Sequence, residues 1–219
     1  SWAIMLRAPS DIGYSDEGFI LPPLRQTKHV VRVQFADALP GLFPDVSGLN
    51  GRIRARRGSI NERAAVVADL VASNHQWLVW CGLNDEADLL RGLISDSENV
   101  QGADSYERKV SVVESFVRGD TRVLITKPKI LGFGMNFQHC SRMAHCGITD
   151  SYESYYQSTR RVWRFGQQLP VYNHIVISEA EGKVLANVMR KEHSARTAFA
   201  RAIAAMKDSE MEELCAVKG

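Results

Sequence analysis

The sequence predicts an α/β fold: a parallel sheet with helices on both faces, plus a helical extension at the C-terminal end. Three observations predict it. Residues 76–81 form a short apolar run of the kind seen in strands buried on both sides, and further strands fit 122–126, 142–148 and 171–177. Between them, apolar residues recur at helical spacing over segments of ten to fifteen residues. Capping residues open most of those segments, so strands and helices alternate along the chain. Sheets of this kind bind ligands at the carboxyl ends of their strands, which singles out the loops after Thr126 and Ile148.

Taken in order, residues 1–26 are broken by Pro9, Gly13, Gly18, Pro22 and Pro23 and read as irregular. Residues 27–35 alternate, with Val31, Val33 and Phe35 on one side, and read as a strand. Pro40, Gly41, Pro44, Gly48 and Gly51 predict a loop over 36–58. Its basic run, Arg52, Arg54, Arg56 and Arg57, is either a solvated edge or a phosphate contact. Ser59 and Glu62 form a capping box for a helix carrying Ile60, Ala64, Val67 and Val71. Asn84 is placed to cap a second helix with Ala87, Leu90 and Ile94 inward, and Asp85 and Glu86 favour its positive end. A short strand fits near Val100. Asp104 and Glu107 cap a third helix with Val110, Val113 and Val117 inward. Residues 179–207 read as one long helix, helped by six alanines between 195 and 205, with Val184, Val188, Phe199 and Ile203 able to pack on the body. The last residues, 208–219, are expected to fray.

Composition narrows the class. With 219 residues, 45% hydrophobic and 24% charged, a soluble folded protein of one domain with an appendage is expected. The longest apolar runs fall far short of a membrane span, so no membrane partner is expected. Ser1 in place of an initiator Met leads us to expect a processed chain or a fragment of a longer one. A net charge of +2 does not by itself demand nucleic acid, so any such contact has to come from local patches. Cys81, Cys140, Cys146 and Cys215 form no CxxC pair, which fits free thiols in a reducing compartment. His139-Cys140 and His145-Cys146 do not have the spacing of a standard zinc site, and inert cysteines on a buried strand are expected instead.

The most specific stretch is 157–167, Gln-Ser-Thr-Arg-Arg-Val-Trp-Arg-Phe-Gly-Gln. Asp150 and Glu153 read as a capping box ahead of it, and Gly166 and Pro170 as stop signals. On a helix over 151–165, Tyr152, Tyr155, Tyr156, Val162 and Trp163 fall on one side, the expected buried face. Gln157, Arg160, Arg161 and Arg164 fall on the other. Three guanidinium groups with only Glu153 near them call for an anion, and the planar fork of arginine matches phosphate oxygens two at a time.

The spacing of Gln157, Arg161, Arg164, Gly166 and Gln167 resembles motif VI of superfamily 2 helicases, in the form used by Swi/Snf-type DNA translocases. Gly132-Phe133-Gly134-Met135-Asn136-Phe137 resembles motif V of the same family. The element from Trp77 to Leu90 resembles motif IV, and Gln101-Gly102, Glu107-Arg108 and Phe116 resemble a further family signature in which Gln101 replaces the usual Asp. Met5-Leu6-Arg7 and Leu21-Pro22-Pro23 resemble the exit from the family's first lobe.

The resemblance implies a RecA-like second lobe. Arg161 and Arg164 would be catalytic toward ATP held by a first RecA-like lobe, with Arg164 the arginine finger; Arg160 is extra to the motif. Gly132, Gly134, Asn136 and Gln157 would face the nucleotide, and Thr126, Lys127 and Lys129 double-stranded DNA. Residues 127–131 depart from the family's Ser-Thr-Arg-Ala-Gly. Residues 1–57 would be a connector, 58–178 the lobe and 179–219 a C-terminal brace. The expected compartment is the cytoplasm of a bacterial or phage-type system, or another reducing compartment that contains DNA.

The chain contains no Gly-x-x-x-x-Gly-Lys-Ser/Thr and no Asp-Glu-x-His, so it has neither a Walker lysine nor a magnesium carboxylate. ATP and Mg2+ are therefore expected in a two-lobed parent, and none bound to this chain alone. The expected function is the second lobe of an ATP-dependent DNA helicase or translocase. The alternative is a non-catalytic RecA-like module that binds DNA or protein.

Overall fold

The structure, a computed structural model, describes residues 10, 14–17, 19–32, 56–130, 135–149 and 151–217, with backbone alone at 180, 196, 199 and 206–217. Six strands in the described residues form one sheet: β1 (Leu24–Val31), β2 (Trp77–Cys81), β3 (Ser97–Asn99), β4 (Val123–Thr126), β5 (Arg142–Cys146) and β6 (Val171–Ser178). Their order is β1-β6-β5-β2-β4-β3 and every pairing is parallel. Five helices join them: α1 (Ile60–Leu70), α2 (Asn84–Leu93), α3 (Tyr106–Arg118), α4 (Tyr152–Val162) and α5 (Gly182–Val217).

The apolar runs make the centre of this sheet because both of their faces are covered. On one face, Ala64 and Val67 of α1 and Ala87 and Leu90 of α2 pack with Val79, Cys81, Val123 and Ile125. On the other, Val112, Val113 and Phe116 of α3 and Val162 of α4 pack with Leu78, Trp80, Leu124 and Met143. The first turns of α5 close a third cluster, Val184, Leu185 and Val188 against Tyr155, Ile175 and Ile177. Each fully buried side chain of this size contributes about 1.5–3 kcal/mol relative to exposure.

Local signals were displaced where tertiary contacts competed for the same side chains. Leu24–Val31, placed by sequence in the connector, is the edge strand of the sheet and pairs in parallel with β6. Val33 and Phe35 of the expected strand lie outside the described residues. Helix α2 is capped by Glu86, which accepts from the backbone N–H groups of Gly82 and Leu83, and Asn84 is its first residue rather than its cap. Helix α3 is capped by Ser105, because the Asp104 carboxylate accepts from Gln101 N–H instead. Its inner face is Val112, Val113 and Phe116, and Val117 is exposed.

Ser59 makes no cap, because its hydroxyl belongs to a buried ionic cluster. Arg63 of α1 donates to Glu86 Oε1 at 2.7 Å, and Arg56, one turn before α1, donates to both Glu86 oxygens at 2.7 and 2.9 Å. Glu181 stands 3.6 Å from Arg63 Nε. Arg56 also donates to the carbonyl of Cys146 at 2.9 Å. Burial alone would push the Glu86 carboxyl up, but Arg56, Arg63 and the Gly82 N–H together hold it below its ordinary value. The guanidinium planes pass so close to the chain that two positions admit no side chain. A Cβ on Gly82 would meet Arg56 at 2.6 Å, and one on Gly147 would meet Arg63 at 2.6 Å. Gly147 also has φ +80, a conformation open to glycine.

Candidate functional site

Helix α4 opens at Ser151, whose hydroxyl accepts from Ser154 N–H. Asp150 of the expected capping box lies outside the described residues, and Glu153 accepts from Gln157 Nε2 at 3.1 Å instead. The helix buries Tyr155, Ser158, Thr159 and Val162. That differs from the expected aromatic face: Tyr156 is 45% exposed, and Tyr152 and Trp163 are half-buried. Small Ser158 and Thr159 let the backbone approach the sheet, and Ser158 satisfies its hydroxyl on the carbonyl of Tyr155 at 2.8 Å. The larger rings are left at the rim. Trp163 uses its indole N–H there, donating to Pro22 O at 2.7 Å.

The helix ends at Val162, not at 165, and Gly166 with φ +90 turns the chain. Arg164 is therefore in the turn and Arg161 in the last helical turn. Both reach the segment expected to be motif V. Arg161 donates to Met135 O at 3.1 Å and accepts on its own carbonyl from Phe137 N–H at 2.9 Å. Arg164 donates to Asn136 Oδ1. Burial, and then the charge of Arg164, lower the pKa of Arg161 from its ordinary value. The Nε of Arg164 is buried without a hydrogen-bond partner, and no carboxylate pairs with Arg164 or Arg160 among the described residues. Arg160 lies over the rings of Tyr156 and Trp163 at 5.9 and 5.1 Å.

Of the expected nucleotide-facing residues, the structure brings Asn136, Arg161 and Arg164 together. Gln157 is exposed one turn before Arg161. Gly132 and Gly134 lie outside the described residues. Of the expected DNA-facing residues, Lys129 is exposed and Lys127 is half-buried, donating to Asn84 Oδ1. Thr126 corrects the expectation: it is fully buried and its hydroxyl donates to Val100 O at 3.2 Å, so its side chain reaches no surface. Arg56 corrects the basic run in the same way. It is an interior ion-pair partner, while Arg57 is exposed beside Asp85 at 3.9 Å, and Arg52 and Arg54 lie outside the described residues.

Two features escaped the sequence reading. Gln167 is buried, and its amide ties the turn to Cys140 O at 3.0 Å and Val162 O at 3.3 Å. Its place directly after Gly166 is the only sequence signal for that clamp. At the carboxyl ends of β2 and β5, a small pocket is lined by Arg56, Trp80, His145, Ser154 and Tyr155 among others. The Trp80 indole N–H and His145 Nε2 have no partner there. Burial, with Arg56 adding to it, pushes His145 down to about 3. Cys140 and Cys146 are buried, and burial pushes their thiols up to about 11 and about 12.

Residues 62–166 match a family model described as the helicase conserved C-terminal domain. Solved structures resemble the chain in fold. The C-terminal part of the Fun30 ATPase domain aligns at 17% identity and a TM-score of 0.52, covering 60% of this chain and 45% of that one. A DEAD box protein from the hyperthermophile Methanococcus jannaschii aligns at 20% identity and 0.53, covering 60% and 37%. The E. coli DEAD-box protein SrmB, in its structure with the regulator of ribonuclease activity A, aligns at 14% and 0.50, covering 60% and 79%. The chain thus spans less than half the length of the first two. No curated protein matches the sequence. Sheet order and structural neighbours give the chain a RecA-like α/β fold, and residues 62–166, just under half of it, are similar to the helicase conserved C-terminal domain.

Proposed function

We propose that this chain is the second lobe of a two-lobed, ATP-dependent, Swi/Snf-like DNA translocase, and that Arg161 and Arg164 act on ATP bound by a first RecA-like lobe. One observation carries the reading. Arg161 and Arg164 are both anchored on Met135–Asn136, and among the described residues the buried Nε of Arg164 has no partner and no carboxylate pairs with it. A guanidinium fixed in this way fits a phosphate, whose oxygens accept two parallel N–H bonds. The Swi/Snf-like part of the reading comes from the motif spacing; the Fun30 ATPase domain has a similar fold, as do the DEAD box proteins. Asn136 and the exposed Gln157 then border the nucleotide, with Gly132 and Gly134 before them in sequence, and Lys127 and Lys129 contact the backbone of double-stranded DNA. ATP with Mg2+ supplies the phosphoryl group, and these arginines stabilise the charge that develops on it, worth ~10³ or more in rate.

The sequence has no Walker lysine and no magnesium carboxylate, so the 219-residue chain alone should not turn over ATP. A steady-state assay with duplex DNA present tests this, and sustained turnover by the pure chain would sink the two-lobe reading.

A further inference from the structure

The two ends of the sheet differ. The motif segments lie at the carboxyl ends of the strands. At the amino ends, on the face that α1 and α2 cover higher up, no described helix packs over β1, β6 and β5, whose side chains there are exposed or half-buried. Register places Arg25 of β1, Tyr172 of β6 and Arg142 of β5 side by side in one row. The next row holds Thr27 and His174. Arg25 and Thr27 are exposed, and Tyr172, His174 and Arg142 are half-buried.

The row is a ladder of planes. Arg142 lies 5.0 Å from the Tyr172 ring and 6.0 Å from that of Trp77, and Arg25 lies 5.6 Å from Tyr172 on its other side. His29 and His174 stack at 5.2 Å and share a hydrogen bond at 2.9 Å. No carboxylate pairs with Arg25 or Arg142 among the described residues, whereas Arg56, Arg63, Arg108 and Arg122 all have one. Two strand spacings set the guanidiniums about 10 Å apart. A parallel sheet normally has both faces covered, so this stretch, with two cations that no described carboxylate pairs and three rings, is suited to an occupant.

We propose that this row binds a single strand of nucleic acid. The guanidinium edges take phosphates, and the Tyr172 and histidine rings with the arginine planes stack on unpaired bases. A duplex keeps its bases stacked internally and offers this row only phosphates. The proposal rests on the nucleic-acid part of the reading above, but not on its ATP chemistry, and it places a second contact at the sheet end opposite Lys127 and Lys129.

The test uses the whole chain and three labelled probes: oligothymidylate, a duplex of the same length and polyglutamate. The expected result is that Arg25→Ala/Arg142→Ala loses at least tenfold in oligothymidylate affinity and changes little on the duplex. Its salt dependence should become shallower by about 1.4, since each phosphate contact to a single strand contributes about 0.7. Thr27→Glu keeps every ring and guanidinium and should give the same loss by repulsion, which separates binding from folding. Lys127→Ala/Lys129→Ala should weaken duplex binding alone. Unchanged oligothymidylate affinity in both row variants overturns the inference while duplex binding leaves the translocase reading standing. Polyglutamate binding as tight as oligothymidylate overturns it in favour of an acidic protein partner. A wild-type chain that binds neither nucleic acid overturns both.

Discussion

Arg56 and Arg63 sit in the same small lobe as Arg161 and Arg164, and the two pairs do opposite things. The first pair is buried against Glu86, with Glu181 beside Arg63. Two positive and two negative groups leave that cluster neutral. Its hydrogen bonds close on themselves, on the backbone carbonyls of Arg56 before α1 and Cys146 at the end of β5, and on the Gly82 N–H before α2. The second pair holds one segment, Met135–Asn136, and among the described residues no carboxylate pairs with Arg164. The difference teaches that an arginine's role follows from whether the fold supplies its anion. A supplied anion makes a strut. Where no described carboxylate supplies it, the guanidinium is available to a ligand, as the proposed function requires.

The largest effect tests the strut. Arg63→Ala strands Glu86 and Glu181 in the core with one guanidinium fewer. Removing one member of a buried ionic network costs about 3–5 kcal/mol. Urea unfolding of the variant beside wild type measures it. A loss under 1 kcal/mol would mean that the cluster is not the interior device described here.

A middle-sized effect comes from His145, which shares the pocket with Arg56. Its folded pKa is about 3 against an ordinary 6.5, so between those values the unfolded chain binds a proton that the folded chain does not. Stability therefore falls as pH drops through that window, by at most about 1.4 kcal/mol per pH unit for one histidine. His29, His139 and His174 are lowered too and act in the same direction. Glu86 adds its own loss only below its ordinary range, so pH 6.5 to 5 isolates the histidines. Melting temperature across that interval should fall less steeply in His145→Gln than in wild type. Equal slopes would remove His145 from the account.

The smallest effect on stability is expected at the site. Arg164→Ala should cost about 0.5–1 kcal/mol, since it removes one bond to an exposed Asn136. In a two-lobed enzyme that contains this chain, the same change should cost ~10³-fold in turnover. Arg164→Lys should fail nearly as badly, because a point charge cannot replace a planar fork. An Arg164→Ala variant that melts as early as Arg63→Ala would erase the contrast between the two pairs.

The sequence made the fold legible because its central strands are buried on both faces. Trp77–Cys81 has no polar residue, and all five of its residues are buried. The core positions of α1 were equally legible, since Ala64, Val67 and Val71 lie one helical turn apart. The orientation of α4 was not. Hydrophobicity put Tyr156 and Trp163 inward, but close approach to the sheet selected Ser158 and Thr159, which are small enough to fit. Nor was the end of α4 legible, because helical spacing continues through Arg164 and only the turn at Gly166 breaks it.

Charge was the least legible property. Arg52, Arg54, Arg56 and Arg57 form one basic run in the sequence, yet Arg56 is interior and Arg57 is at the surface. By itself the sequence determined the alternation of strand and helix, the parallel sheet, and the clustering of Gln157, Arg161 and Arg164 near one helix end. Those follow from short-range periodicity, which each segment carries alone. Only the tertiary structure decided which arginines meet a carboxylate. Glu86 is 30 residues from Arg56 and 23 from Arg63, and Arg25 joins Arg142 in one row only because β6 pairs with both of their strands. Coulomb interactions and desolvation depend on distance in space and on depth below the surface, and neither is written in local sequence.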